Sequence, residues 1–575
     1  MKHIIIALLL LAAAPLWAAA PQVIYRYTLN DDGTQRAYDE ALAVACVQGI
    51  VNRDKPVLWV TARNDKNADV WQQIMTEDGR WLSGAEWVDL TPAQGGKDPL
   101  TELVLRAGKK IKGAVIWDPA VPATVNVATT IAGVEDLVVL SPEFAEQYLP
   151  KWKLKVKRDL RGKFDGSETG SAKNDAYRWA IREYLDKGKC SRDFIFLNTD
   201  AWNQRSGGVM SWVCVRDWDV MNRGFVYDLS PWGDEAPGDD PDQPLGTDLE
   251  TYRLMLAAQA RQTNGKQMTE VAGFFDFAKY SNAGYGSKHP VGTEWETVYL
   301  ITPYNCYQNT ADHNCYNKSF HSKFTFTDLQ QKADKRPKAQ LEEKVYLCVL
   351  MADYDSATPL YVFLPKYWQD PRRGEVPLSW GINPNLINTY PDVISYYYET
   401  ATKNDYFVAD ATCAGYFNPT RVLPENMPLF IRHNQRYYKA LDMDISPMVL
   451  DVMTATDLVK DAFARFSPRG YGALVGDWHG TGARNPEPQV WKGMPITDLS
   501  NVSDAAGIAS LIKKGKPGEA AFYYLRIVWE APGPVIDRLD EVKKLCPGYD
   551  IEIVDPYTFF ELRKQDLIRK GMDLK

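Results

Sequence analysis

The sequence predicts an α/β protein in which several small α/β subdomains precede a C-terminal (β/α) barrel-like domain. Short apolar runs alternate with helix-like segments along most of the chain, which is the pattern of layered α/β structure. The alternation becomes regular after residue 344. With 575 residues, the chain is too long for one hydrophobic core, so we expect several domains.

The N-terminal half is interpreted as three α/β subdomains. A helix is predicted over Tyr38–Val51, with strands over Val57–Val60, Gly113–Trp117 and Leu137–Leu140, and a further strand over Phe194–Leu197. Other helices are predicted over Pro99–Lys109, Ala123–Ala132 and 174–187. The predicted boundaries are 21–95, 96–170 and 171–326, then a charged, proline-containing linker over 327–343 and the barrel-like domain over 344–575.

Strand-like segments recur seven times after this linker, with helical segments between them. The strands are predicted over Val345–Met351, Pro377–Gly381, Tyr406–Ala409, Ala440–Ile445, Gly472–Val475, Phe522–Val528 and Ile551–Val554, with an eighth near Met494–Leu499. The helices are predicted over Asp392–Thr402, Pro424–Lys439, Ala455–Phe466, Ala505–Lys513, Pro534–Leu545 and Pro556–Ile568. Such alternation predicts a (β/α) barrel or an open relative of it. A doubly wound sheet would give the same alternation, so closure is left open.

Residues 1–20 have the three-part layout of a cleaved secretory signal peptide. Lys2 provides the basic start, Ile4 to Ala14 are almost purely apolar, and Ala18, Ala19 and Ala20 supply the small residues of a cleavage site. A membrane anchor is the alternative, but the apolar run is shorter than the roughly 20 residues that a spanning helix needs. No other apolar stretch is long enough to span a membrane. We therefore expect an exported protein, periplasmic or extracellular, without a membrane span after cleavage.

The composition excludes some partners and leaves others open. There are 74 Asp and Glu against 66 Lys and Arg, and no basic stripe, so nucleic acid is not an expected partner. The 18 Trp and 31 Tyr fit either large cores or the binding of sugars by flat rings. The eight Cys are scattered and form no CxxC, which indicates mostly buried thiols and no structural zinc site. We expect no cofactor, and the oligomeric state stays open.

Carboxylates at the ends of predicted barrel strands are the candidate catalytic residues. In a (β/α) barrel the active site lies at the carboxyl ends of the strands. Asp353 and Asp355 follow the first strand, Asp477 follows the Gly472–Val475 segment, and Glu530 follows Phe522–Val528. Glycoside hydrolysis needs two carboxyl groups, one acid and one base or nucleophile. Asp353 and Asp355 lie two residues apart, so in an extended chain their side chains point to the same side, where uncompensated charges repel.

Two further strand-end carboxylates have structural explanations. Asp555, directly before Pro556, fits a helix N-cap. Asp410 follows Tyr406–Ala409 and could equally fix the next loop or serve a site. In the Gly- and Pro-rich stretch over 230–250, Asp239 and its acidic neighbours could bind a hard cation such as Ca²⁺ or simply be solvated.

Aromatic residues beside these strand ends are the candidate substrate-binding residues. Trp478 and His479 follow Asp477 and would supply a stacking face and a polar contact. We also expect Trp380 and Tyr416 to contribute to a wall that faces the sugar.

The segment from Asp410 to Pro419, DATCAGYFNP, resembles the motif of the GxGYxYP family of putative glycoside hydrolases. Gly415, Tyr416 and Pro419 match the motif, whereas Cys413 and Asn418 replace its first Gly and its second Tyr. Further similar stretches lie at Asp353–Asp355, Arg373–Trp380, Glu294–Trp295 and Tyr304–Asn305. The resemblance spans most of the chain and implies an exported protein with several N-terminal subdomains and a C-terminal catalytic-type domain. If the first Gly of the motif has a positive φ, Cys413 would obstruct that conformation.

Three functions are compatible with these observations. The first is an exported glycoside hydrolase that acts on a glycan, with Asp353 and Asp355 as the acid/base pair and Asp477 and Glu530 as the other candidates. The second is a glycan-binding protein with a degenerate, non-catalytic site. The third is a metal-dependent carbohydrate deacetylase, which needs His and Asp ligands. After the predicted leader there are five His, at 289, 313, 321, 433 and 479, and none are paired at metal-ligand spacing.

Overall fold

The structure is a computed structural model that describes residues 22–90, 98–202, 213–274, 277–280, 294–310, 312–326, 328–337, 340–449, 451–477, 480 and 482–574. The predicted signal peptide and the candidate residues Trp478 and His479 lie outside these ranges.

A three-stranded parallel sheet opens the described chain. Its strands are β1 (Val23–Leu29), β2 (Leu58–Ala62) and β3 (Glu86–Leu90), with β1 in the centre. The helices α1 (Gln35–Val51) and α2 (Asn67–Thr76) connect them. The side chain of Thr34 accepts a hydrogen bond from the Ala37 N–H and so caps the start of α1, which is buried along most of its length.

A second parallel sheet of three strands follows. Its strands are β4 (Gly113–Ile116) in the centre, β5 (Leu137–Leu140) and β6 (Val156–Asp159), and its helices are α3 (Pro99–Ala107), α4 (Thr124–Glu135) and α5 (Pro142–Trp152). Asp98 and Ser141 cap α3 and α5, each directly before a proline in the first helical turn. The strands β4 and β5 are completely buried, as their continuous apolar sequences require.

The third parallel sheet has the order β10-β9-β7-β8. Its strands are β7 (Phe194–Leu197), β8 (Phe225–Tyr227), β9 (Thr269–Gly273) and β10 (Cys306–Asn309). The helices of this region are α6 (Ala172–Ala180), α7 (Arg216–Asn222), α8 (Thr247–Thr263), α9 (Phe277–Tyr280), α10 (Glu294–Ile301) and α11 (Lys318–His321). Because β10 is an edge strand, its outer side is available for contacts with the C-terminal region.

The C-terminal region contains a nearly closed, barrel-like sheet of seven parallel strands. They are β11 (Val345–Tyr354), β12 (Leu378–Ile382), β13 (Asp405–Ala409), β14 (Ile445–Met448), β15 (Gly470–Ala473), β17 (Met494–Ser500) and β18 (Ala521–Val528). The sheet order is β13-β12-β11-β18-β17-β15-β14, so the free edges of β13 and β14 are where the barrel would close. The helices around it are α12 (Leu364–Trp368), α13 (Pro391–Thr400), α14 (Met427–Ala440), α15 (Asp457–Phe466), α16 (Ala505–Ile512), α17 (Pro532–Leu545) and α18 (Pro556–Arg569).

Three short strands lie outside the barrel. The strand β16 (Gln489–Trp491) pairs antiparallel with β17, β19 (Ile551–Ile553) pairs with the start of β11, and β20 (Asp573–Leu574) pairs with β16.

The seam between β13 and β14 is bridged by a side chain from the predicted linker. Gln331 donates a hydrogen bond to the Phe407 carbonyl (3.0 Å) and accepts one from the Phe407 N–H (2.8 Å), as a neighbouring strand would. Its amide also donates to the Asp442 carbonyl (2.7 Å). Beyond the strands, the Val449 N–H donates to the Ala411 carbonyl at 2.6 Å. Backbone polar groups at the seam are therefore paired although the two strands are not.

The predicted fold class is confirmed, and several element boundaries differ. The segment Ala440–Ile445 was expected to be a strand, but α14 continues to Ala440 and β14 starts only at Ile445. Asp442, with a φ of 50°, lies in the turn between them. Met494–Ser500 is a true barrel strand, whereas Ile551–Ile553 is not, so the seven barrel strands are a different seven from those first counted.

Two properties of the described residues bear on location and redox state. No helix among them is both long enough and apolar enough to cross a membrane. All eight cysteines are buried and form no disulfide, including Cys306 and Cys315.

Candidate active site

Three carboxylates meet at the carboxyl edge of the barrel. Asp353 lies near the end of β11, Asp355 follows that strand, and Asp410 comes directly after β13. One oxygen of each lies within 4.8 Å of the others. We call these three residues the carboxylate cluster. The carboxyl ends of all the parallel strands lie at one edge of the barrel, which explains why Asp353 and Asp410, 57 positions apart, are neighbours although β12 lies between their strands.

Asp353 is the exposed member of the cluster, with 27 % of its side chain accessible. Its φ is 64°, and the pairing of β11 with β12 is irregular between Met351 and Tyr354, so the chain leaves the strand geometry here. Its N–H donates to Asp410 Oδ2 at 3.2 Å, and its carboxylate forms an ion pair with Arg526. Asp353 is thus held by Arg526 and at the same time open to solvent.

Asp410 is completely buried beneath Asp353. Space for it depends on Gly381 in β12, since a Cβ at that position would lie 2.4 Å from Asp410 Oδ2. The Oδ1 atom of Asp410 has no hydrogen-bond partner among the described residues. Burial, together with the neighbouring charge of Asp353, raises the pKa of Asp410 to about 7. Asp410 therefore holds a proton over part of the neutral range.

Arg526 is the cation of the cluster. It extends from β18, the neighbour of β11, and its Nη1 donates to Asn501 Oδ1 at 3.1 Å. Although its burial opposes the charged form, the nearby Asp353 and Asp410 raise its pKa. One guanidinium therefore faces three carboxyl groups, which leaves the cluster acidic.

Trp529 supplies the exposed aromatic ring beside Asp353. Its Nε1–H donates to the Asp353 carbonyl at 2.8 Å, and 44 % of the residue is accessible to solvent. The ring contacts Phe363 edge to face at 5.1 Å between centroids. An accessible indole next to an accessible carboxylate is a suitable surface for a sugar ring.

The residues 413–419, here called the motif loop, connect the barrel to the third sheet. The hydroxyl of Tyr416 donates to Asp355 Oδ1 at 2.9 Å. Its backbone exchanges two hydrogen bonds with Gln308 of β10, at 3.1 and 2.9 Å. Gly415 has a φ of 107°, and a Cβ there would lie 2.3 Å from the ring of Tyr307. The third sheet therefore positions the tyrosine that holds Asp355.

The two departures from the motif are accommodated in this loop. Cys413 is completely buried and has no positive φ, so its Cβ meets none of the obstruction expected from a Gly-to-Cys change. Asn418 is also buried, and its N–H donates to Thr302 Oγ1 at 3.1 Å.

The other residues predicted from the sequence lie apart from the cluster. Glu530 forms a two-pronged ion pair with Arg538 of α17, at 2.8 and 2.6 Å. Asp477 lies in an exposed loop, where its Oδ2 accepts a hydrogen bond from the Gly482 N–H at 3.0 Å.

Trp380 was expected in a sugar-facing wall, but it is completely buried and donates to Asp405 Oδ1 at 2.9 Å. Its ring packs on Trp368 and Tyr354, so no face is open to a ligand. The expectation is corrected for this reason. Tyr416, expected in the same wall, is buried with only 4 % accessible, and its hydroxyl binds Asp355.

Trp295 and Arg526 have no counterpart among the predicted site residues. Trp295 on α10 is half-buried and packs against Ala411 and Tyr416, close to the cluster. The signal for Arg526 is a charged residue inside the otherwise apolar and aromatic strand AFYYLRIV. A charge in such a strand needs a partner, which the strand-end acids provide.

The cluster combines a buried carboxyl group with a raised pKa, Asp410, and an accessible carboxylate, Asp353. Its three oxygens are also close enough to bind one hard cation. Arg526, however, already provides a positive charge in contact with Asp353.

Comparisons with known proteins agree with this architecture. Residues 343–564 match the profile described as "GxGYxYP putative glycoside hydrolase C-terminal domain", and residues 111–188 match the second domain of the GxGYxYP N-terminal region. No curated protein matches the chain significantly. A crystal structure of a putative hydrolase from Bacteroides thetaiotaomicron VPI-5482 matches over 95 % of this chain and 96 % of its own, with a TM-score of 0.66 and 15 % identity.

A second match, to a mutant of the peptidoglycan deacetylase PdaC from Bacillus subtilis, covers 40 % of this chain and 95 % of that one. Its TM-score of 0.18 at 10 % identity supports no structural comparison. The first match shares the fold over nearly the whole chain, and the two family profiles cover an N-terminal subdomain and the barrel. The chain belongs to the GxGYxYP family.

Proposed function

We propose that this protein is an exported glycoside hydrolase whose carboxylate cluster performs the acid/base chemistry. The observation that carries the proposal is the convergence of Asp353, Asp355 and Asp410 within 4.8 Å at the carboxyl edge of a barrel. The name of the family and the exposed Trp529 beside Asp353 support a carbohydrate substrate.

Asp353 is the residue we assign to contact with the reacting sugar. It is accessible, and its carboxylate forms an ion pair with Arg526, which orients it at the carboxyl edge of the barrel. Asp355, whose carboxylate accepts a hydrogen bond from the Tyr416 hydroxyl, is assigned as its partner in the acid/base pair. One oxygen of Asp353 lies within 4.8 Å of one oxygen of Asp355.

Asp410 has a positioning role in this proposal. It has no exposed surface and accepts the Asp353 N–H, so it acts on Asp353 rather than on the sugar. Its raised pKa lets it hold a proton near neutral pH.

The test is the release of reducing sugar from a panel of plant, algal and bacterial glycans. We expect Asp353→Asn and Asp355→Asn to lower the rate by about 10²- to 10⁴-fold on any glycan that the wild type cleaves. Asp477→Asn and Glu530→Gln are the matched controls, since both remove one carboxylate outside the cluster. If the controls lose activity and the cluster variants retain it, the catalytic residues are assigned wrongly. If no glycan is cleaved and glycans still bind, the chain is a binding protein instead.

A metal-dependent deacetylase is the second candidate, favoured by the three mutually close carboxylate oxygens. All three ligands would be oxygen, which suits Mg²⁺ or Ca²⁺ rather than the Zn²⁺ expected with His ligands. Acetate release that is abolished by EDTA and restored by a divalent cation would support this candidate. Sugar release that is unaffected by EDTA would support the hydrolase.

Export is the remaining part of the proposal and rests on the signal-like layout of residues 1–20. N-terminal sequencing of the protein from a bacterial host tests it. A mature N-terminus near Ala20 in the periplasm or medium is expected, and an intact leader in the cytoplasm would contradict it.

A further inference from the structure

A cavity separate from the carboxylate cluster lies between the third sheet and the barrel. It has a volume of about 460 Å³, which is within the usual size range of small-molecule sites. One wall is formed by residues that precede β7 and β9, and the other by α14 of the barrel. The lining residues used below are Lys266, Arg432, Arg436, Tyr307, His433 and Tyr437. We call this space the basic cavity.

Three cations line the basic cavity, and the residues that the structure describes supply none of them with an ion-pair partner. Arg432 and Arg436 lie one helical turn apart on α14, and Lys266 faces them from the loop before β9. Within the described chain, none of the three takes part in an ion pair of 4 Å or less. Asp193 is the one carboxylate of the lining, and its oxygen is bound by the Gln267 amide. Like charges around one space repel, and a bound anion would relieve this repulsion.

The interior of the basic cavity is aromatic. The ring of His433 lies 4.7 Å from that of Tyr307 and 5.0 Å from that of Tyr437. Burial lowers the pKa of His433 to about 4, so this residue is neutral and adds no charge at neutral pH. Tyr437 is fixed by a hydrogen bond from the Asn388 amide at 2.7 Å. The buried rings form a rigid floor, and Arg436 lies over the ring of Tyr437 at 5.2 Å from its centroid, so its guanidinium group is held at the cavity.

The basic cavity is connected to the carboxylate cluster through the motif loop. His433 Nε2 donates to the Ala414 carbonyl at 2.7 Å, and the Tyr307 ring fills the space that a Cβ on Gly415 would need. The next residue, Tyr416, binds Asp355 on the other side of the loop. One loop thus separates the basic cavity from the candidate active site.

We propose that the basic cavity binds an anionic saccharide unit through its carboxylate or sulfate group. The choice of a saccharide rests on the proposed hydrolase function, whereas the choice of an anion rests on Lys266, Arg432 and Arg436. Guanidinium groups bind both carboxylate and sulfate oxygens through paired N–H donors. The proposal implies that the natural glycan carries acidic sugars.

Isothermal titration of the full-length mature protein tests the proposal. The ligands are tetragalacturonic acid, its fully methyl-esterified form, a sulfated carrageenan oligosaccharide, a neutral agarose oligosaccharide and inorganic sulfate. We expect binding of one or both acidic oligosaccharides at least about tenfold tighter than of the neutral counterparts, and weaker binding at high salt. Binding of the acid alone identifies the carboxylate as the recognised group, and binding of the carrageenan alone identifies the sulfate.

The double variant Arg432→Gln/Arg436→Gln should lose at least about tenfold in this affinity, which is about 1.4 kcal/mol. Lys439→Gln, an exposed charge on the same helix outside the lining, is the matched control and should bind normally. Arg432, Arg436 and Lys439 are all exposed, and a thermal melt checks that both variants are folded. Equal binding by the double variant, equal binding of acidic and neutral ligands, or binding of inorganic sulfate alone would overturn the proposal.

Asp353→Asn distinguishes this proposal from the hydrolase. If it binds the acidic oligosaccharide and no glycan is cleaved even by the wild type, only the hydrolase fails. If glycans are cleaved and no acidic ligand binds, only the basic cavity is assigned wrongly.

Discussion

Two groups of buried acids lie at carboxyl edges of parallel sheets, and they are compensated differently. In the third sheet, Lys279 contacts Asp200 (2.8 Å) after β7 and Asp228 (2.7 Å) after β8, with all three completely buried. Lys173 contacts Asp239 (3.0 Å) and Asp248 (2.8 Å). We call these six residues the lysine network: Lys173, Lys279, Asp200, Asp228, Asp239 and Asp248. The carboxylate cluster instead has one Arg for three acids and one member open to solvent.

This difference indicates which group can do chemistry. Carboxylates that are buried and held by lysine cannot contact a substrate, and breaking such a pair is costly. Asp239, which the sequence allowed as part of a cation-binding loop, is bound by lysine. The cluster has an accessible member, Asp353, so a substrate or a proton can change its state. Acid content alone does not distinguish the two groups, whereas the exposure of Asp353 does.

The largest expected effect is on the lysine network. Lys279→Met should lower the free energy of unfolding by about 3–5 kcal/mol, because it leaves Asp200 and Asp228 buried without their cation. Arg526→Met should lower the free energy of unfolding by less, because water can reach Asp353 when the arginine is removed. Urea unfolding of both variants measures the difference. Equal losses would mean that the cluster is as structural as the network.

The next effect is the pH dependence that Asp410 causes. Its pKa is about 7 in the folded protein and near 4 in the unfolded chain, so the folded state holds the extra proton between these values. Its contribution to stability is therefore full below about pH 4 and is lost as the pH rises through 7, by at most about 4 kcal/mol. Asp410→Asn should flatten this fall.

Urea unfolding of the wild type and of Asp410→Asn at pH 5, 6, 7 and 8 measures this pH dependence of the free energy of unfolding. Asp477→Asn, from an exposed loop, is the control and should leave the slope unchanged. An identical slope in the wild type and in Asp410→Asn would show that the pKa of Asp410 is not raised in the folded protein.

A smaller effect is expected where the cluster depends on close packing. Gly381→Ala places a methyl group against Asp410 and should destabilise the protein by about 1–3 kcal/mol and reduce activity. Gly548→Ala, at an exposed glycine whose Cβ would contact nothing, is the matched control. Thermal melts and glycan hydrolysis report the two effects. If both glycines tolerate alanine equally, Asp410 can shift freely.

The smallest effect is expected at the hydrogen bond between Tyr416 and Asp355. Tyr416→Phe removes one hydrogen bond and should lower the free energy of unfolding by about 0.5–1.5 kcal/mol. We expect the rate of glycan hydrolysis to fall by a proportionally larger amount than the stability. A stability loss with fully retained hydrolysis would place Asp355 among the structural acids, as in the lysine network.

The sequence predicted the members of the cluster that follow their strands directly. Asp353 and Asp355 were found because an active site in a barrel lies at the strand ends, and Asp410 was noticed by the same rule without its role being resolved. Arg526 was missed because it lies inside β18, where strand ends give no indication. The register of β18 with β11 places Arg526 beside Leu350, and from there its side chain reaches Asp353, three residues further along β11.

Trp380 shows why the aromatic wall could not be predicted in the same way. Trp380 and Gly381 are consecutive in β12, so they point to opposite faces. Gly381 faces the interior and leaves space for Asp410. Trp380 must therefore point to the other face, towards Trp368 in the helical layer. The alternation follows from the sequence, but the choice of face depends on the whole barrel. Trp295 likewise could not be assigned to the site from the sequence, because it lies on α10, before the barrel strands begin.

The pairing of Gln308 with Tyr416 limits where the molecule can be divided. A fragment that begins at residue 344 would keep all three acids and Arg526 but would lose Gln308, Tyr307 and Trp295. The motif loop would then have an unpaired backbone and an empty space beside Gly415. Expression of the barrel alone would therefore yield a protein with its acids present and Tyr416 unsupported. The smallest unit with a complete site begins upstream of β10, across the boundary that the barrel profile defines.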